Sequence, residues 1–346
     1  AAVAIKLPEL LGRIFARGDA AESFYLLNLS LFVLPFLAGY FGWKRGLGRA
    51  GWAGLAGLFV VAALAVNLMP FEAGGQTMVL TALHLPMVLW LAVGFAYTGG
   101  RWRDHDQRMN FIRFSGEWFI YYALIALGGG VLMAFTLFIF QAIGVDAESF
   151  LESWLLPCGV VGAVIISAWL VEAKQSVVEN MAPVLTRLFT PLFTLLLVAF
   201  LVVMLWTGSA IDVEREVLIG FDLLLVLVLG LVLYAISARD PQAPPGPFDV
   251  LQLILVVAAL LVDAVALWAI ASRISAFGFS PNKVAALGEN LILLINLGWS
   301  AVLYARFLGS RSPVVALERW QTGYLPVYAI WAWVVVGLFP IVFDFR

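Results

Sequence analysis

Asp263 and Asn296 lie near the middle of two long apolar stretches, in Leu-Val-Asp-Ala-Val and Leu-Ile-Asn-Leu-Gly. In hydrocarbon an ionisable side chain is costly, and it usually faces a bundle interior or a water-filled cavity. A short link joins the two stretches, so as helices they run antiparallel and bring both residues to similar depth. That pairing fits an ion, proton or substrate site. It also fits a clamp, in which a protonated aspartic acid donates to the asparagine carbonyl.

A second charged set lies nearer one face. Arg273 and Lys283 flank the turn between the same two stretches, Glu289 follows within two helical turns, and Asp222 occupies similar depth in the preceding stretch. Opposite charges at one depth offset each other's cost, so Arg273 is expected to pair with Glu289 or Asp222 in an ion-pair cluster. His84 precedes Pro86, which has no amide hydrogen and leaves the Ala82 carbonyl without its helical partner. The imidazole could open onto a cavity at such a kink, or simply satisfy backbone groups. Between Gly99 and Glu117, Arg101, Arg103, Arg108 and Arg113 alternate with Trp102, Phe111 and Phe114. Basic residues beside interfacial aromatics attract anionic lipid headgroups, at about 1 kcal/mol each.

Other chemistries have no footing in the sequence. The only other histidine, His105, falls in a link, so paired-histidine haem ligation inside the membrane is excluded. Cys158 is the single cysteine, which excludes an internal disulfide and a cysteine-rich metal site. The zincin, nucleophile-elbow, P-loop and dinucleotide motifs are absent, and no metal or cofactor is implied. A net charge of -2 argues against a nucleic-acid partner.

The elements that must hold these residues are membrane spans. The chain is 63% hydrophobic and 12% charged, against roughly 25% charged in soluble domains. About 20 apolar residues cross a ~30 Å hydrocarbon layer as a helix. Spans are placed near 23–43, 50–70, 78–98, 117–140, 154–173, 188–207, 217–237, 250–272, 284–307 and 325–343. The fold class is therefore all-α: a polytopic bundle of about ten transmembrane helices, read as one domain over 23–346. Residues 1–22 place Leu7, Leu10, Leu11, Ile14 and Phe15 at helical spacing among Lys6, Arg13 and Arg17. They read as an amphipathic interfacial segment, or as the end of an upstream span.

Orientation follows from the basic residues, which stay cytoplasmic. The odd-numbered links hold 13 of the 20 Lys and Arg residues, with Lys44, Arg45 and Arg49 in the first and Arg306, Arg311 and Arg319 in the ninth. Odd links are thus cytoplasmic, and both ends of the chain face outward. Two short echoes, Leu27-Asn28-Leu29 with Ile295-Asn296-Leu297 and Leu85-Pro86 with Leu325-Pro326, are at unequal separations and do not establish a repeat.

Three segments resemble a bacterial inner-membrane family known as domain of unknown function four-one-five-three. They are Phe111-Ile-Arg-Phe-Ser-Gly-Glu117, Arg273-Ile-Ser-Ala-Phe-Gly-Phe-Ser-Pro-Asn-Lys283 and Tyr324-Leu-Pro-Val-Tyr-Ala-Ile-Trp331. The middle segment also makes physical sense as a turn. Gly278 permits the reversal, Ser280 can cap the next helix and Pro281 suits its first position. The resemblance runs from about residue 80 onward. It implies a multi-pass protein of the bacterial inner membrane and carries no activity with it.

The expected function is transporter- or channel-like, acting on a small solute or ion, with a polar path near the seventh to ninth spans. The alternative is a non-catalytic membrane subunit that scaffolds an envelope complex or binds lipid. An intramembrane enzyme ranks third. Membrane lipids, and other membrane subunits, are the expected partners.

Overall fold

The computed structural model describes residues 4–6, 19–142, 148–173, 181–207 and 215–346. It is 86% helical, and no strand occurs among the described residues, so the all-α class holds. In chain order the helices are α1 (Asp19–Asn28), α2 (Leu34–Lys44), α3 (Arg49–Leu68), α4 (Gln76–Tyr97), α5 (His105–Ala142) and α6 (Leu156–Ala173). They continue as α7 (Met181–Thr207), α8 (Arg215–Ser237), α9 (Pro247–Phe277), α10 (Pro281–Leu308), α11 (Val315–Gly337) and α12 (Phe339–Val342). A 3₁₀ turn, Leu29–Phe32, joins α1 to α2 within the first span, and a π-helical turn, Leu151–Leu155, leads into α6.

Nine helices among the described residues are long and apolar enough to cross a membrane. The expected tenth span, at 325–343, differs from what forms. Its helix starts earlier, at Val315, and stops at Gly337. Glu318, Arg319, Gln321 and Thr322 dilute the apolar run of its first half, so composition alone does not mark it as a span. Chain topology does. Seven of the nine begin after residue 75, yet the Phe345 carbonyl accepts from the Glu72 amide and the Arg346 carbonyl from the Thr77 amide. A return to the second link needs an even number of crossings, and α11 supplies the eighth.

The helices gather into two compact units. The first holds residues up to Trp102, Phe114–Val178 and Asp344–Arg346. Its centre is aromatic: Phe41, fully buried, meets the rings of Tyr97 and Phe114 edge-on at 5.1 Å each, and Trp90 stacks on Phe114. Such offset and T-shaped contacts add about 0.5–1.5 kcal/mol each beyond area burial. Polar groups between its helices find partners. Asn28 and Asn67 exchange amide bonds of 3.1 and 2.8 Å, and Trp118 Nε1 donates to the Val164 carbonyl at 3.0 Å.

At the end of α2, Lys44 and Arg45 both grip Glu172 of α6, Arg45 at 2.9 Å. The Glu172 side chain is only 4% exposed while its two cations remain a third exposed. Glu172→Gln leaves two cations against a neutral amide. It is expected to lower stability by about 1–3 kcal/mol, read as a fall in the thermal unfolding midpoint of the purified protein. An unchanged midpoint would show the pair to be idle.

The second unit holds Arg103–Arg113 and Glu179–Phe343. Its densest packing is the antiparallel pair α9 and α10, joined through Gly278, whose φ of 73° suits glycine. Arg239 and Asp249 form a two-point ion pair at 2.8 and 3.1 Å across the link from α8 to α9. Asp249 also accepts from the Gly246 amide at 2.8 Å, satisfying a free donor at the start of α9.

Within each unit, contacts across the links join ends of like parity. Lys44 and Arg45 with Glu172, Arg113 with Ser237, and His105 with Thr322 each join odd-link ends. Phe345 with Glu72, and Lys6 over the Trp154 ring at 5.2 Å, join the other set. Lys6 is only 3% exposed, and residues 7–18 of the expected amphipathic segment lie outside the described residues. A cysteine placed at Arg101 is expected to resist labelling by an impermeant maleimide in intact cells and to react after lysis. Labelling from outside would invert the orientation.

Candidate functional site

Three helices of the second unit bring the polar residues of the membrane interior together. Asp263, on α9, is fully buried, and neither of its carboxyl oxygens has a hydrogen-bond partner among the described residues. Asp222, on α8, lies within electrostatic reach of it. Asp222 Oδ1 accepts from Asn290 Nδ2 of α10 at 2.8 Å. Asn290 is itself fully buried, and its own oxygen has no partner among the described residues. Glu289, on the same helix, is within electrostatic reach of Asp222. The local cause is helical spacing: Asp263 belongs to the buried face of α9 with Val256, Ala259, Val262, Ala266 and Ile270, whose small and branched side chains let neighbouring helices approach.

Asn296 does not pair with Asp263. It exchanges amide bonds with Gln321 of α11 at 3.1 Å each way, and Gln321 Nε2 reaches Ser300 Oγ at 2.7 Å. Trp320 Nε1 donates to the Asn296 carbonyl at 3.1 Å. The clamp expected of Asn296 therefore exists, but its partner is Gln321. The sequence puts Gln321 in the link between 307 and 325, and its charge pattern singles out Glu289 rather than the adjacent Asn290.

The expected outer ion-pair cluster does not form. Arg273 is half-buried and makes no ion pair among the described residues. Lys283 instead donates to the Gly278 carbonyl at 2.8 Å and approaches that of Arg273 at 3.5 Å, with its ammonium over the Phe277 ring. The carbonyls left free at the end of α9 attract the cation more directly than a carboxylate deeper in the bundle. Lys283 is an anchor. His84, in the first unit, is buried, with Nδ1 2.8 Å from the Leu80 carbonyl, so the ring serves the backbone one turn before it.

The four link arginines separate. Arg101 and Arg103 are exposed, whereas Arg108 is 7% exposed and Arg113 donates through Nε and Nη2 to the Ser237 carbonyl, closing the last turn of α8. A cavity of about 480 Å³ opens where α5 and α11 begin, lined by Arg103, Asp104, His105, Asp106, Val315, Glu318 and Arg319. Among the described residues no three His, Cys, Asp or Glu side chains are grouped to hold a metal ion.

Comparison with known proteins finds no matching family model, no matching curated protein and no matching solved structure.

Proposed function

We propose that the chain is a transporter- or channel-like protein of the bacterial inner membrane, carrying a small solute or ion along a polar path between α8, α9 and α10. The observation that carries this reading is Asp263: fully buried in a membrane helix, with both oxygens unpartnered among the described residues. A bare carboxylate in a low-dielectric interior costs several kcal/mol. A proton or a cation must accompany it there, and a group that takes up and releases such a companion is what coupled transport requires. The proximity of Asp222 makes two uncompensated negative charges costlier than one. The deciding experiment is flux of protons and of sodium into liposomes reconstituted with the purified protein, compared with its Asp263→Asn variant.

One observation favours the second reading, a membrane subunit that scaffolds a complex. None of the side chains described from Trp118 to Phe138 on α5 is buried, although that helix is long enough to span the membrane. Co-purification of a stoichiometric membrane partner, together with silent flux assays, would favour the scaffold.

A further inference from the structure

The transport reading leaves the companion of Asp263 open between a proton and a cation such as sodium. We propose that it is a proton, taken up by Asp222 near the end of the unit where α8 and α10 begin and passed inward to Asp263. The inference rests on the transport reading and names its coupling ion.

Depth orders the polar side chains. At ~1.5 Å per residue, Asp222 lies ~10 Å from the start of α8 at Arg215, and Asn290 ~14 Å from the start of α10 at Pro281. Asp263 lies ~21 Å from the end of α9 at Phe277. Access to water falls in the same order: Asp222 and Glu289 are half-buried, whereas Asn290 and Asp263 are fully buried. On the far side of Asp263 the same face of α9 carries Ala259 and Val256, both fully buried, so the ladder descends from one end.

Hydrogen bonding divides the two aspartates. Asn290 Nδ2 donates to Asp222 Oδ1 at 2.8 Å, which settles negative charge on Asp222. Neither oxygen of Asp263 receives a donor among the described residues, so the positive companion belongs on Asp263. The two carboxyls are within electrostatic reach of each other, and in a low dielectric one proton between them is less costly than none. Asn290 adds a buried oxygen, unpartnered among the described residues, on the same amide that holds Asp222. That oxygen is an acceptor for a protonated carboxyl on the path. Size then decides the ion. Asp263 is 0% exposed, so no water-sized space opens against it. A hydrated cation reaches it only if the helices part, whereas a proton moves between carboxyl oxygens. In that step the O–H bond of Asp222 breaks, one forms on Asp263, and the negative charge moves outward to Asp222, which takes its next proton from water.

The test is proton influx into proteoliposomes of the full chain, loaded with a pH-sensitive dye. Under an inward proton gradient, wild-type flux is expected to be the same in choline as in sodium. Asp222→Asn should lower it by about tenfold or more, and Asp222→Glu, which restores a group able to carry the proton, should recover most of it. A purely structural Asp222 predicts the reverse, because asparagine can still accept from Asn290 whereas the longer glutamate disturbs the packing. Flux that requires sodium, or a wild-type rate in Asp222→Asn while Asp263→Asn is inactive, overturns the proton relay and leaves the transport reading standing. Absence of both proton and sodium flux from the wild type overturns the two together. A second measurement needs no variant to fold: dicyclohexylcarbodiimide adds to a protonated carboxyl in apolar surroundings. Peptide mass spectrometry of the treated wild type should find Asp263 modified, less as the pH rises, and equally with and without sodium. Protection by sodium, or no modification at any pH, overturns the proposal.

Discussion

Asp263→Asn is expected to reduce ion flux at least tenfold while leaving the protein folded and in the membrane. An asparagine keeps the shape of the side chain but can no longer gain or lose a proton or hold a cation by charge. Asp263→Leu should lose flux equally and be as stable as the wild type, or more so. The reason is that neither carboxyl oxygen has a hydrogen bond to lose among the described residues. Replacing an unsatisfied buried polar group by an apolar one of similar size recovers about 1–3 kcal/mol. A helix clamp predicts the opposite pattern, with Asp263→Leu loosening the bundle and Asp263→Asn nearly silent. Flux in liposomes and thermal unfolding in detergent, measured on the same two variants, separate the readings. Normal flux in both variants would end the transport proposal.

The second large effect is structural. A Cβ placed on Gly288 of α10 would lie 2.1 Å from two atoms of the Trp331 indole on α11. Real contacts of that kind do not come below about 3 Å, so a side chain there must push the indole aside or force the two helices apart. Trp331 has little room to move, since its ring also packs edge-on against Phe339 at 5.8 Å. Gly288→Val is expected to cost about 3 kcal/mol or more, at the upper end of overpacking penalties, and to lower the yield of folded protein from membranes. Adding Trp331→Leu should recover part of the loss, because the clash partner is gone. Full stability in Gly288→Val alone would mean the helices yield without cost.

The bundle was legible because a run of about 20 uncharged residues has few other uses. The last crossing was misplaced for a definite reason: Gln321 and Thr322 look like link residues until a partner helix satisfies them. Asp263 was legible as a charge in an apolar run, but its neighbours were not. Asn290 and Asn296 are six residues apart, which at about 100° per residue turns them some 120° away from each other around α10. One therefore meets Asp222, and the other Gln321. Nothing in the local sequence says which face of α10 looks at which neighbour; the packing of four helices decides that. Arg113 is a similar case, because its acceptor, the Ser237 carbonyl, belongs to another helix far along the chain.

The bonds from Glu72 and Thr77 to the carbonyls of Phe345 and Arg346 also set an order of events. The first-turn amide of α4 meets its acceptor only after α5 to α11 have been made. Gly75 shows how closely the tail seats, since a Cβ there would lie 2.8 Å from the Arg346 carbonyl carbon. The first unit therefore keeps one helix end open until the second unit's helices have been made, and then closes as a latch does. A substitution at Phe345, or a cut just before it, would act on the helices made first rather than on those beside it in sequence.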